Sequence, residues 1–154
     1  MSFELGPITL ASETDTHTLA GKIAGILRAG DSVLLEGDIG AGKTAFCRAA
    51  IRARLGYPED VPSPTFTLVQ TYEDDPDIWH FDLYRLSHPD EAIELGIEEA
   101  FETAICLIEW PDRLADLAPK SALWIKFTAG DAHTATFSGS DDWAQRLEAA
   151  GVSD

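Results

Sequence analysis

Gly37-Asp38-Ile39-Gly40-Ala41-Gly42-Lys43-Thr44 matches the phosphate-loop pattern G-x-x-x-x-G-K-[ST] at every constrained position. The flanks complete the reading. Ser32-Val33-Leu34-Leu35-Glu36, a short apolar run, predicts a buried strand before the loop. Ala45-Phe46-Cys47-Arg48-Ala49-Ala50-Ile51-Arg52-Ala53-Arg54-Leu55 predicts a helix after it. Strand, glycine-rich loop and helix are the context in which such a loop binds phosphate. The glycines let successive N–H groups converge on phosphate oxygens, and the helix start adds unpaired N–H groups and the positive end of its dipole. Within this pattern Gly37 through Ala45 are expected to bind the nucleotide phosphates. Lys43 would reach the β- and γ-phosphates, and the Thr44 hydroxyl would ligate Mg²⁺.

Working outward, Ile8-Thr9-Leu10 reads as a short strand. Ser12-Glu13-Thr14-Asp15 fits a capping box, and Leu19, Ile23, Ile26 and Leu27 follow at helical spacing, which predicts a helix from Glu13 to Arg28 ended by Gly30. Downstream, Pro58, Pro62 and Pro64 forbid helix and favour an ordered loop. Thr65 to Tyr72 and Ile78 to Tyr84 predict two strands joined by the Asp74-Asp75-Pro76-Asp77 turn, hence a hairpin. Ser87-His88-Pro89-Asp90 opens another helix that Leu95-Gly96 closes, and Ile97 to Glu102 adds a helical turn or two. Ala104-Ile105-Cys106-Leu107-Ile108 is an apolar run of strand length that ends in Glu109-Trp110-Pro111. Asp112 to Leu117 predicts a short helix, Ser121 to Thr128 and His133 to Phe137 strands, and Ser140 the cap of a terminal helix through Trp143 and Leu147. Strands alternating with helices around a phosphate loop predict a three-layer α/β/α sandwich of the P-loop NTPase kind, with a mixed, largely parallel central sheet. One domain over residues 1–154 is expected.

The charge balance restricts the partners. The chain carries 27 acidic residues against 11 basic ones, a formal net charge of −16. A field of that sign repels a nucleic-acid backbone, so a direct grip on RNA or DNA is not expected. Docking on a basic protein surface fits the charge, as does a role in solubility alone. The first residues have neither the basic region nor the apolar core of a signal peptide, and no apolar run reaches membrane-spanning length. Cys47 and Cys106 have no Cys or His beside them at ligand spacing, and His17, His88 and His133 form no cluster. The two cysteines are therefore expected to pack in a reducing cytosol, and no zinc site is expected.

A phosphate loop needs a carboxylate for Mg²⁺, commonly at the carboxyl end of an apolar strand. Glu109 and Asp82 both have that placement. Glu109 follows a five-residue apolar run and should have a cationic partner if buried; the alternative is a surface carboxylate paired with arginine. For Asp82 the alternative is a salt bridge to Arg85. Thr65, after Ser63-Pro64, is either a metal-side hydroxyl next to the γ-phosphate or the first residue of a strand. Trp110 either lies against the nucleotide or fills the sheet edge, and His80, among aromatics, reads as a packed and satisfied histidine.

Four blocks occur in order: Gly37–Thr44, Ser63-Pro64-Thr65-Phe66-Thr67, His80-Phe81-Asp82-Leu83-Tyr84-Arg85-Leu86 and Ile105-Cys106-Leu107-Ile108-Glu109-Trp110-Pro111. Together they resemble the TsaE family, also called YjeE, the bacterial ATPase of tRNA threonylcarbamoyladenosine synthesis. The resemblance runs from about Ser12 to Pro111, and the tail matches only in its strand-and-helix pattern. It implies an ATP-binding, Mg²⁺-dependent cytoplasmic domain that works with TsaB and TsaD and meets tRNA only through them. Carried over by motif, Lys43 and Thr44 bind phosphate and Mg²⁺, while Thr65, Asp82 and Glu109 gather around the metal and γ-phosphate with Trp110 close by. One departure is Gly130-Asp131-Ala132-His133, a turn that often carries an arginine in the family, so a nucleotide contact from this hairpin is in question. The adenine site is placed only loosely, around Ser12 to Thr18.

The same motifs admit three rival readings. A GTPase would use [NT]-K-x-D to read guanine, and the chain has no Asn and no Thr-Lys pair. A small-molecule kinase would close an Arg-rich lid, whereas the seven arginines cluster only along Arg48–Arg54. A non-hydrolysing, ATP-dependent docking module is compatible with the sequence.

Overall fold

The computed structural model describes residues 2–38 and 40–153. A seven-stranded sheet runs through them in the order β1-β7-β6-β2-β5-β4-β3. The strands are β1 (Ser2–Leu10), β2 (Ser32–Glu36), β3 (Val69–Tyr72), β4 (Ile78–Asp82), β5 (Ile105–Glu109), β6 (Leu123–Thr128) and β7 (His133–Ser140). The helices are α1 (Glu13–Ala24), α2 (Lys43–Leu55), α3 (Asp90–Glu94), α4 (Ile97–Thr103) and α5 (Asp141–Ala149), with a 3₁₀ segment over Pro111–Leu117. The central strands β6, β2, β5 and β4 pair in parallel, and β3, β7 and β1 add antiparallel edges. This is the expected mixed α/β sheet, with its parallel pairings confined to the four central strands.

The near-continuous apolar runs of β2 and β5 follow from burial on both faces. Strand alternation sends Val33, Leu35, Ile105 and Leu107 into one core with α1, α2 and α5. Leu34, Cys106 and Ile108 enter a second core with α3, α4 and the 3₁₀ segment. The buried Arg146 of α5 is held by Asp31 at 2.5 Å and donates to the carbonyl of Ile26, so the C-terminal helix is tied to the turn before β2.

Several boundaries differ from the sequence reading. The first strand extends back to Ser2, because β7 supplies a ladder from Ser2↔Ser140 to Leu10↔His133. Helix α1 ends at Ala24, and Ile26 and Leu27 turn more tightly, bonding back to Ile23 and Ala24. Its capping box is modified: Ser12 Oγ accepts from Asp15 N–H, but the Asp15 carboxylate reaches Ala11 N–H at 2.9 Å. Strand β3 begins at Val69 because Thr65–Thr67 form a turn, closed by Leu68 N–H on the Pro64 carbonyl at 2.7 Å. Ser140 sits at the α5 N-cap, yet its side chain makes no cap hydrogen bond.

The topology gathers one edge. Parallel pairing puts the carboxyl ends of β2, β4, β5 and β6 on the same side of the sheet. Strand β1 is antiparallel to β7, which is antiparallel to β6, so Leu10 at the end of β1 emerges there too. The loop after β2, Asp82, Glu109, the Thr128–His133 turn and the Leu10–Glu13 segment therefore meet at one edge.

Candidate functional site

The phosphate-loop segment leaves β2 through Gly37 and enters α2 through Gly42, the N-cap of that helix. Gly37 has φ +142°, and a Cβ there would lie 2.5 Å from the carbonyl oxygen of Phe127. Only glycine lets the chain cross β6 this closely. Gly42 has no side chain to cap α2, so the N–H groups of the first turn remain available to an anion. Ile39 lies outside the described residues.

Lys43 is buried, at 5% exposure. Its ammonium donates to the carbonyls of Gly37 and of Asp38, the latter at 2.9 Å. It also lies 4.2 Å from the centroid of the Trp110 ring. Burial lowers the lysine pKa, and the charges of Glu109, Asp82 and Asp38 oppose that shift. Trp110 itself takes φ +60°, a conformation costing about 1–2 kcal/mol for a side-chain-bearing residue. Its N–H bonds the Leu35 carbonyl at 3.3 Å, and Tyr84 packs on its ring at 4.9 Å. The strain turns the indole from the end of β5 onto the lysine.

The carboxylates of Glu109 and Asp82 sit side by side, since the two residues are register partners at the ends of β5 and β4. Both are buried. Glu109 Oε1 accepts from Thr44 Oγ1 at 2.8 Å. Its Oε2 faces His80 Nε2 at 2.7 Å, so Glu109 is a buried carboxylate bonded to a histidine and not the arginine-paired surface carboxylate of the alternative. Asp82 Oδ2 accepts from Thr65 Oγ1 at 3.0 Å, and Oδ1 from Tyr84 N–H at 3.0 Å. Ser63 Oγ lies 2.8 Å from Thr65 Oγ1, so the proline-braced loop is anchored to Asp82 through two hydroxyls. The Asp82–Arg85 bridge is not formed; Arg85 stacks on Phe66 at 4.5 Å instead.

Among the described residues, Cys47, His80 and Glu109 bring potential ligand atoms within 4.8 Å of one another. Sequence spacing hid this trio, because α2, β4 and β5 meet only in the fold. Its 2.7 Å His–Glu separation is that of a hydrogen bond. Two tetrahedral zinc ligands stand about 3.3 Å apart. The thiol of Cys47 is fully buried and its pKa is pushed well above the ordinary value, chiefly by desolvation.

These groups open on a cleft of about 780 Å³. Lys43, Thr44, Ala45, Thr65, Asp82, Glu109 and Trp110 line it, together with Gly40 and Gly42. Gly37, Asp38 and Ala41 are not on its wall: Ala41 is in the core, and the other two carbonyls hold Lys43 from behind. The far wall combines Leu10 to Glu13 and Thr16 with Gly130 to His133. The hairpin turn thus borders the cleft without an arginine. Tyr84 and Arg85 line it as well, and no local sequence signal pointed to their side chains. Chemically, the cleft offers the Lys43 ammonium and helix N–H groups to an anion, and beside them the Glu109 and Asp82 carboxylates and the Thr44 and Thr65 hydroxyls, oxygen donors of the kind hard divalent cations take.

A strand–glycine loop–helix unit at the carboxyl edge of a mixed parallel sheet defines a P-loop NTPase-like α/β protein. A family model described as "Threonylcarbamoyl adenosine biosynthesis protein TsaE" matches residues 10–136, and the chain belongs to that family. The chain is 44% identical over 124 residues to the tRNA threonylcarbamoyladenosine biosynthesis protein TsaE of Rickettsia conorii, covering 80% of this chain and 71% of that protein. The protein of the same name from Bacillus subtilis is 38% identical over 120 residues, covering 76% of this chain and 74% of the relative. The crystal structure of Bacillus subtilis YdiB superposes with a TM-score of 0.79 at 26% identity, over 98% of this chain and 95% of that one.

Proposed function

We propose that this chain is a Mg²⁺-dependent ATP-binding and ATP-hydrolysing subunit required for tRNA N6-threonylcarbamoyladenosine modification, acting on the TsaB–TsaD complex in the cytoplasm. One observation carries the reading: a phosphate-loop lysine, a helix-start threonine bonded to Glu109, and Asp82 all face a single cleft at the sheet's carboxyl edge. Membership of the TsaE family supports the pathway. Lys43, Gly40, Gly42, Thr44 and Ala45 of the loop and helix start, and Trp110 bind ATP in this reading, with the Gly37 and Asp38 carbonyls holding Lys43 in place, and Thr44, Glu109 and Asp82 hold the metal. When bound, Mg²⁺ neutralises charge that develops on the β- and γ-phosphate oxygens. Lys43 adds a fixed positive charge from a partly desolvated position, where it acts more strongly than in water. Thr65, bridged to Asp82, sets the wall beside the γ-phosphate. With a net charge of −16, the chain leaves tRNA contact to its partners.

A second reading has one observation in its favour. Each oxygen of Glu109 and of Asp82 is already engaged by one hydrogen bond, so neither carboxylate stands uncommitted as a base for water. In that reading ATP stabilises a docking conformation without turnover. The kinase reading is weaker, because Arg85 is the one arginine among the described residues on the cleft wall. Steady-state phosphate release from Mg·ATP, by the chain alone and with TsaB–TsaD, separates these readings with Lys43→Ala as the blank. Strong stimulation by the partners is expected. Binding without release supports the docking module, and phosphate passed to a metabolite supports the kinase.

A further inference from the structure

We infer that His80 is a positioning residue that clamps the Glu109 carboxylate toward Thr44 and the metal site; the inference rests on the reading of that site given above. In β4 the alternate residues Ile78, His80 and Asp82 share a face, as do Ile105, Leu107 and Glu109 in β5. Ile78, Ile105 and Leu107 are core residues packed with α2. His80 occupies an equivalent mid-strand position and is fully buried. An aliphatic side chain would serve packing there at no polar cost. The imidazole carries that cost incompletely offset, since Nδ1 has no hydrogen-bond partner among the described residues. The bond it does make is to Glu109 Oε2, at 2.7 Å, with both groups at most 2% exposed.

Glu109 is thereby held at both ends. Oε1 accepts from Thr44 Oγ1 and Oε2 from His80, so the rotamer and the plane of the carboxylate are fixed before any ligand arrives. A carboxylate accepts only, which requires His80 to carry its proton on Nε2. Outer partners that orient a metal-binding group change metal affinity about 10–100-fold when removed. The strand register allows this contact because it pairs His80 with Leu107, one residue-pair step behind Glu109 on the same face.

The test is Mg²⁺ titration of binding of the non-hydrolysable analogue AMPPNP, with wild type, His80→Leu and His80→Gln. His80→Leu should raise the half-saturating Mg²⁺ concentration about 10–100-fold and leave metal-free AMPPNP binding within about twofold, since Lys43 and the loop are untouched. His80→Gln keeps an N–H donor near the Nε2 position and should recover most of the loss. A folded His80→Leu with wild-type Mg²⁺ dependence overturns the inference, as does a Gln variant as impaired as Leu. If His80→Leu does not fold, ring ¹⁵N spectra of the wild-type chain decide: an Nε2-bound proton whose signal shifts with Mg·AMPPNP supports the clamp, and an Nδ1-bound proton refutes it. Wild-type AMPPNP binding indifferent to Mg²⁺ overturns the reading of the site, and the clamp with it.

Discussion

Three glycine-to-alanine substitutions should move stability in different directions. At Gly37 an added Cβ would sit 2.5 Å from the Phe127 carbonyl, against a floor of 3.0 Å for real Cβ contacts, in a backbone with φ +142°. Restoring the floor requires β6 and the loop to separate by about 0.5 Å, and overpacking of this kind costs roughly 1–3 kcal/mol. The positive φ adds roughly 1–3 kcal/mol. Gly37→Ala should therefore lose about 3 kcal/mol, which for a chain of this size lowers Tm by about 6–12 °C. At Gly40, φ is +82° but a Cβ would meet nothing within 4 Å. The strain alone remains, about 1 kcal/mol and about 2–4 °C. Gly21 lies inside α1 with an ordinary backbone and open space around it. Alanine there should stabilise by about 0.5–1 kcal/mol through a less flexible unfolded chain. Thermal melts followed by circular dichroism read all three. AMPPNP titration adds a second readout: Gly37→Ala should weaken binding at least about tenfold (~1.4 kcal/mol) by displacing the carbonyl that holds Lys43. If Gly37→Ala melts as high as Gly40→Ala, the close approach to β6 is not what requires glycine. If Gly21→Ala lowers Tm, the packing assigned to α1 is wrong.

Glu109→Gln keeps the size of the side chain but removes its charge, and phosphate release should fall about 10²-fold or more; unchanged release would remove Glu109 from the metal site. Asp31→Ala leaves the guanidinium of Arg146 buried with one partner fewer, and should destabilise by about 2–4 kcal/mol in chemical denaturation, whereas replacing both residues with apolar ones should cost less. The thiols of Cys47 and Cys106 should resist iodoacetamide at pH 8 in the folded chain and react on unfolding, since burial pushes Cys106 up to about 12 and Cys47 in the same direction. By the same linkage, a folded pKa above the unfolded one means their contribution to stability is intact below about pH 9. It is lost as the pH rises from there toward about 12, and denaturation midpoints should fall over that window.

The site was legible in part because its chemistry is written locally. The loop from Gly37 to Thr44 needs its glycines and lysine in one order, and the apolar runs before Glu109 and Asp82 place carboxylates at strand ends whatever the sheet order is. The strand assigned to Thr65–Tyr72 shows the limit of local reading. β-branched residues predicted extension from Thr65. In the fold, Thr65–Thr67 form a turn closed by Leu68 N–H on the Pro64 carbonyl, and the Thr65 hydroxyl bonds Asp82, a residue 17 positions away that a local reading does not see. The Ser2–Leu5 half of β1 was missed for the opposite reason. Its residues have little strand signal of their own, and the partner that makes them a strand, β7, lies more than a hundred residues away.

By itself the sequence determined the kind of protein: a phosphate loop between strand and helix, a mixed α/β sheet, carboxylates at strand ends, and a charge of −16 that disfavours direct hold on nucleic acid. Each of these depends on neighbours in the chain or on a sum over it. Tertiary structure decided everything that depends on which strands lie side by side. The order β6-β2-β5-β4 brings the ends of separate strands to one cleft. His80 is packed, as read from the sequence, but only the β4–β5 register shows that Glu109 is what it packs against. The positive φ of Trp110 turns its ring onto Lys43. A hydrogen bond of 2.7 Å between residues 29 apart is a property of register, and register is specified by burial of a sheet face, which only the assembled fold provides.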